Sequence, residues 1–151
     1  MKKLTLVVTI LLVLALTCSA YAATRQAKII SIRGKADIKP MGKSAWIPAK
    51  KGTMLSEGDV LRTASRSRVT LNLNGNGETA LVKVEPNSQL LLSEMAIKGK
   101  SETTLLDLAL GEIMITAEKL NTQDSKFEVK TPTSVVGVRG TKFAVKVEAV
   151  K

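Results

Sequence analysis

The segment VTLNL at residues 69–73 decides the fold class, because apolar and polar residues alternate in it with a period of two. A β-strand points successive side chains to opposite faces of a sheet, so this alternation predicts a strand with one buried face. The same alternation returns at residues 113–115, 127–130 and 143–148. Together these runs predict a sheet that packs one of its faces against a core.

Turn-forming residues separate the alternating runs. Residues 74–77 read Asn-Gly-Asn-Gly, and both Asn-Gly pairs suit the positive φ of a tight turn. Further turns are predicted at residues 57–59 and 86–88, at Gly34 and at Gly111. The spacing between turns is about 8–12 residues, which is typical of all-β domains.

Helix is expected to be scarce. Residues 105–110 read LLDLAL and have some helix propensity, but Gly111 closes the run after six residues, which is short for a helix. We therefore interpret this run as a strand. The chain is predicted to be all-β, a single compact domain of short, mostly antiparallel strands arranged as a barrel, a sandwich or a β-coil.

The first 22 residues have the layout of a secretory signal peptide. A basic start at residues 1–3 precedes an apolar stretch at residues 4–16, and Ala20-Tyr21-Ala22 offers an A-x-A cleavage site. The prediction is a signal peptide at residues 1–22 and one domain at residues 23–151, located in the periplasm or secreted after cleavage. The alternative is a retained segment that anchors the N-terminus in the membrane.

The composition argues against most enzyme classes. The chain has no His and one Cys, Cys18, which the predicted cleavage removes. Imidazole bases, Cys–His nucleophile pairs and His metal ligands are therefore excluded. The acidic pair closest to a turn is Glu57 with Asp59, and Asp in such a position ordinarily binds nearby backbone amides. We predict a protein without catalysis, cofactor or metal.

The basic excess is concentrated near the start of the predicted domain. The chain has 23 Lys and Arg against 13 Asp and Glu, a formal net charge of +10. Residues 24–51 hold eight basic residues and one acidic residue, Asp37. The eight are Arg25, Lys28, Arg33, Lys35, Lys39, Lys43, Lys50 and Lys51. They are either candidate contacts to anionic lipid or polymer of the envelope, or a solvated face. Nucleic acid is not an expected partner.

Trp46 is the only tryptophan of the chain. An exposed aromatic residue at this position would mark a sugar or partner surface. Trp buries a large area, however, so we favour the interpretation that it anchors the core or its rim and closes a hairpin.

Four segments, in order, resemble the FecR family of envelope regulatory domains. GKADI at residues 34–38 with WIP at residues 46–48 is similar to that family's opening hairpin and tryptophan. GTMLSEGDVLRT at residues 52–63 is similar to its Gly-Asp and Arg-Thr segment, and VTLNL followed by VEPNSQL at residues 84–90 to its next strands. TPTSVVGVRGTKFAV at residues 131–145, hereafter the closing motif, resembles the motif that ends the family's domain. The resemblance covers residues 28–147.

The resemblance implies an all-β domain outside the inner membrane that performs no catalysis. In well-understood members an N-terminal cytoplasmic part handles a sigma factor, and the periplasmic part receives a signal from a TonB-dependent transporter. Only residues 1–3 could lie on the cytoplasmic side here, and the chain ends soon after the closing motif. We therefore expect a protein-binding or signalling module whose partner is another envelope protein, and what carries over from the resemblance is the domain and not the sigma-factor or iron pathway.

The resemblance also selects candidate residues for a partner site or for the fold itself. These are Trp46, Asp59, Arg62, Arg139, Gly140 and Thr141. Gly137 and Gly140 are expected to adopt backbone angles that other residues avoid. Arg139 is expected to donate a hydrogen-bond fork to backbone carbonyls and Asp59, or to a partner's carboxylate. The favoured interpretation is that the closing motif locks the last hairpin, and an exposed edge strand is the generic place for a partner.

Overall fold

The computed structural model of the chain describes residues 25–74, 79–117, 125–138 and 142–148. Within these ranges the regular structure is all strand, which confirms the predicted fold class. No helix there is long and apolar enough to cross a membrane. The strands are β1 Ala27–Arg33, β2 Ala36–Lys39, β3 Ile47–Pro48, β4 Met54–Leu55, β5 Val60–Thr63, β6 Arg68–Asn74, β7 Thr79–Val84, β8 Gln89–Lys98, β9 Ser101–Ala117, β10 Lys126–Lys130, β11 Val135–Val138 and β12 Lys142–Val147.

The strands form one curled sheet with the shape of a half-barrel. Its hydrogen-bonded path runs β3-β2-β5-β8-β9-β7-β6-β1-β4, and β10 and β12 also pair with β9. All pairings are antiparallel except that of β9 with β10, which is parallel. The 17-residue strand β9 belongs to both halves of the sheet: its first part pairs with β8 and β10, and its last part with β7 and β12.

Gly111 lies inside β9 and does not end it. The sequence predicted a turn at this position between two strands, and that prediction was wrong. The strand continues through Gly111 but bends there with a φ of 92°. The predicted strand at residues 105–110 is confirmed as the part of β9 before the bend. A glycine signals a local backbone requirement, but the sequence does not say whether a bend or a chain reversal meets it.

The concave side of the sheet holds one apolar core. Alternation along each strand sends every second side chain inward, as VTLNL predicted, and Val69, Leu71 and Leu73 are all fully buried. β9 contributes in the same way from both sides of its bend, through Leu106, Leu108, Ile113 and Ile115.

The turn at Gly34 joins strands that do not pair with each other. Gly34 has the positive φ expected of it, 78°, but β1 pairs with β4 and β6 while β2 pairs with β3 and β5. The turn is therefore a corner between the two halves. Ser67 fixes it, because its Oγ accepts the amide of Lys35 at 2.9 Å and donates to the carbonyl of Ser65 at 3.2 Å. Arg66, just before Ser67, has a φ of 56°.

A second corner repeats this arrangement between β7 and β8. Ser88 Oγ accepts the amide of Glu112 at 3.0 Å and can donate to the carbonyl of Pro86 at 3.3 Å. Asn87, just before Ser88, has a φ of 54°. The amide that Ser88 receives follows Gly111, just as the amide that Ser67 receives follows a glycine. The fold therefore contains the same Gly–Ser corner twice.

The last hairpin is formed by β10 and β11. Its turn spans residues 131–134, where the amide of Thr131 donates to the carbonyl of Ser134 at 2.8 Å. The amide of Ser134 donates back to Thr131 Oγ1 at 3.0 Å. The first part of the closing motif therefore closes the β10–β11 hairpin, whereas β12, which contains the end of the motif, pairs with β9. The predicted turn at residues 75–77 lies outside the described residues.

Candidate functional site

Asp59 holds the loop that carries Trp46. This loop, residues 40–46, joins β2 to β3 and is called the Trp46 loop below. Asp59 Oδ1 accepts the amide of Met41 and its Oδ2 accepts the amide of Ser56, both at 2.9 Å. One carboxylate thus connects the loop to the turn before β5. Met41 itself is 71% exposed at the loop's surface.

Arg62 covers the ring of Trp46. Its guanidinium carbon lies 4.1 Å from the ring centroid, and Lys39 Nζ lies 5.5 Å from it. Arg62 also forms an exposed ion pair with Asp37 at 2.8 Å. Cations at these distances are attracted by the negative face of an indole ring. The Trp46 side chain is partly buried at the rim of the β2–β3 hairpin, and Arg62 lies over its ring.

Thr63, in the same segment as Asp59 and Arg62, fixes the loop between β7 and β8. Its Oγ1 donates to the carbonyl of Glu85 at 2.6 Å and accepts the amide of Ser88 at 3.0 Å. The three polar residues Asp59, Arg62 and Thr63 therefore serve the Trp46 loop, the Trp46 ring and the second Gly–Ser corner respectively. The backbone and ring contacts of these residues account for why the segment needs these residue types at this spacing.

The carboxylates of Glu57 and Asp59 both bind backbone amides. Glu57 Oε2 accepts the amide of Met95 at 3.0 Å, and Asp59 accepts two amides as described above. This agrees with the interpretation of Asp59 as a turn residue. Among the described residues no group of three or more acidic or Cys side chains could hold a metal ion.

Arg25 is not available to an anionic surface, so its inclusion among the candidate surface contacts was wrong. Its side chain is 4% exposed, lies 3.1 Å from Glu102 Oε2 and donates to Thr104 Oγ1 at 2.8 Å. A buried guanidinium requires such partners, because a charge without them is costly to remove from water. Period-two alternation did not reveal the pair, since Glu102 lies 77 positions away in the chain.

The other seven basic residues are accessible and are spread over both halves of the sheet and the loops between its strands. Lys28 and Arg33 lie on β1, in the opposite half of the sheet from Lys39 on β2. Loops and turns carry Lys35, Lys43, Lys50 and Lys51, all exposed. Only Lys39 is brought next to Trp46.

The closing motif is mostly exposed between its turn and Val138. Residues 132–137 are all exposed, with Val135 at 61% and Val136 at 36%. Gly137 does not adopt a positive φ, and no atom lies within 4 Å of where its Cβ would stand, so the expectation of an unusual backbone angle there was wrong. Arg139, Gly140 and Thr141, with the predicted fork from Arg139, lie outside the described residues.

Sequence reasoning missed the two exposed valines. A signal was present, because adjacent residues of a strand point to opposite faces of the sheet. Val135 and Val136 therefore cannot both point to the core. The exposure of Met41 was missed as well, and nothing in its neighbourhood distinguishes it from a buried methionine.

A cleft of about 340 Å³ opens between the turn of the last hairpin and β12. Lys146 and Glu148 form an ion pair at its rim, with Nζ 2.9 Å from Oε1. The hydrogen bond from Lys146, and then its charge, lowers the pKa of Glu148, and the same contacts raise the pKa of Lys146. The cleft contains no second charged pair, so it shows no arrangement for acid–base chemistry.

Comparison with known proteins identifies one family. A family model described as "FecR protein" matches residues 59–151, more than half of the chain. The match begins at Asp59 and includes Arg62 and the closing motif, while the Trp46 loop precedes it. No curated protein and no solved structure matches the chain.

Proposed function

Because the chain belongs to the FecR family, a non-enzymatic family of signalling and regulatory proteins, we propose that it is an exported protein-binding module of the periplasm. It performs no catalysis and binds another envelope protein through the Trp46 loop. The observation that carries the proposal is the set of contacts that Asp59 and Arg62 make with the Trp46 loop. Both are polar residues that hold an exposed loop in one conformation.

The Trp46 loop has the composition of a protein contact. Aromatic, Met and Arg side chains are enriched in interfaces, and Trp and Arg are among the residues that contribute most of the binding energy. Met41 and Ile47 are 71% and 46% exposed beside the partly buried Trp46. Because Asp59 and Arg62 fix the loop before binding, little conformational entropy is lost when a partner docks.

In-cell crosslinking tests this proposal. A photo-reactive residue at Met41 should capture one defined envelope protein, and Trp46→Ala should reduce the capture at least tenfold. A photo-reactive residue at Arg68, on the outer face of β6, is the matched control. Equal capture from both positions, or capture that is unaffected by Trp46→Ala, would contradict the proposal.

A second candidate function is binding of anionic lipid or polymer through the basic residues of positions 28–51. It is favoured by one observation: none of these seven cations forms an ion pair with a carboxylate of the described residues. Such binding should fall steeply with salt because exposed charges are screened. Sedimentation with vesicles containing an anionic lipid, in low and in moderate salt, separates it from protein binding, which tolerates moderate salt.

A further inference from the structure

β11 is an edge strand without the usual protection of an edge. Among the described strands it pairs with β10 only. It carries no charged residue and no proline, and Val135 and Val136 are exposed while Val138 is buried. Natural proteins normally blunt such an edge with charges, proline or a covering segment, because its free amides and carbonyls invite another strand. An uncharged, apolar edge is therefore a surface for a partner.

Gly137 shows how closely that partner approaches. The fold does not require a glycine there, since φ is not positive and the space beside it is open. A glycine inside a strand often marks a bulge, a bend or a place where another backbone comes close, and the ladder of β11 with β10 has no bulge at Gly137. Gly137 lies opposite Glu128 of β10, and Val135 lies opposite Lys130. Both therefore belong to the outer face of the hairpin.

The free hydrogen-bonding groups of β11 can be assigned from its ladder with β10. The amide of Thr131 donates to the carbonyl of Ser134, so bonded pairs alternate from that pair onward. The next bonded pair is Val129 with Val136. The amides and carbonyls of Val135 and Gly137 consequently point away from β10, toward the open edge.

We propose that this edge pairs with β11 of a second copy of the chain, antiparallel and about a two-fold axis at Val136. In this register Val135 of each copy lies opposite Gly137 of the other, and these two residues exchange the free amides and carbonyls. The Val135 side chain fills the space that Gly137 leaves open. The two Val136 side chains, 36% exposed in one copy, meet on the inner face. A strand that complements itself in this way needs no other sequence, and no charge opposes the contact.

The first test of the pairing measures the mass of the full chain, expressed with residues 1–22. Light scattering after size-exclusion chromatography should give twice the chain mass. Val135→Lys should return the single mass, whereas Val135→Ile should keep the double mass. Val135 is 61% exposed, so neither substitution disturbs the core. A single mass for the unchanged chain at its highest soluble concentration would overturn the proposal.

A cysteine scan fixes the register. In a Cys18→Ser background, Val136→Cys places two thiols on the two-fold axis, where non-hydrogen-bonded pairs have Cα atoms about 4.5 Å apart. That distance suits a disulfide. Val136→Cys should form a reducible dimer, and Thr133→Cys, in the exposed turn, should not. Equal dimer from both variants, or a disulfide to a different protein in cells, would contradict pairing with a second copy. None of these variants touches the Trp46 loop, so the result is independent of the proposed function.

Discussion

The hydroxyl of Ser88 lies so close to Gly111 that the Cβ atom of any other residue at that position would clash with it. The same hydroxyl accepts the amide of Glu112 at 3.0 Å, so it cannot move away without losing that bond. Ser88 and Gly111 thus form one unit, in which the bend of β9 and the corner before β8 are fixed together.

Gly111→Ala should therefore lower the free energy of unfolding by at least about 2 kcal/mol, because the positive φ and the contact with Ser88 both oppose a side chain. Gly52→Ala is the matched control. Gly52 also has a positive φ, 89°, but no atom lies near its Cβ position, so we expect a loss of about 1 kcal/mol. Urea denaturation measures both. Equal losses would show that the contact with Ser88 contributes nothing.

Arg25→Ala should lower the free energy of unfolding by about 3 kcal/mol, since it leaves Glu102 as a buried charge without its ion-pair partner. Both side chains are almost completely buried, at 4% and 3% exposure. Lys28→Ala, at an exposed position of the adjacent strand, should change it by less than about 0.5 kcal/mol. Denaturation curves that coincide for the two variants would place Arg25 at the surface.

Arg62→Ala should change the fluorescence of Trp46 while leaving stability nearly unchanged. Trp46 is the only tryptophan, so its emission reports the loss of the guanidinium that covers its ring. The ion pair of Arg62 with Asp37 is exposed, so its loss should cost less than about 1 kcal/mol. Arg68→Ala, which breaks a comparable exposed pair with Glu85, serves as control and should leave the emission unchanged.

The carboxyl of Glu148 should titrate below its ordinary pKa, because Lys146 donates a hydrogen bond to it. The stabilising contribution of the pair is therefore present above the ordinary pKa of Glu and is lost as the pH falls through the lowered value. Raising the pH through the raised pKa of Lys146 removes it again. Since both groups are exposed, the thermal midpoint should not change measurably in either window.

Carboxyl NMR provides the test. Lys146→Met should return the Glu148 midpoint toward the ordinary value, and Lys142→Met, at another exposed position of β12, should not. A midpoint that is unaffected by Lys146→Met would mean that the hydrogen bond does not persist in solution.

The strands and the core could be predicted from the sequence because period-two alternation is a local property. Residues 69–73 are a strand for the reason that their alternation gave, whereas residues 105–110 were assigned to a strand because Gly111 was expected to end the run, and β9 continues through Gly111. The predicted turn at Gly111 failed because a glycine shows that the backbone needs freedom, but only Ser88, 23 positions earlier, determines that a bend satisfies it.

The candidate site was predicted in part. The resemblance to a family selected Asp59, Arg62 and Trp46, and the structure brings all three to one loop. The resemblance gave no information about the contacts of these residues, which depend on the pairing of β2 with β5. Arg25 was misplaced because composition counts charges without showing which of them meet a buried carboxylate. The two Gly–Ser corners went unnoticed because their similarity is structural. In sequence, the two segments share only the serine and the apolar residues that follow it.

Because β9 pairs with strands of both halves of the sheet, it affects how the domain folds. A strand that serves both halves prevents either half from being complete alone, so the domain should unfold in a single cooperative transition. Three partner strands of β9 among the described residues, β7, β10 and β12, are distant in sequence, which gives a high contact order and therefore slow folding, roughly on the scale of milliseconds to seconds. Such a chain stays unfolded for a comparatively long time after synthesis, which would suit the proposed export, because an unfolded chain is the form that can be threaded through a narrow translocation pore.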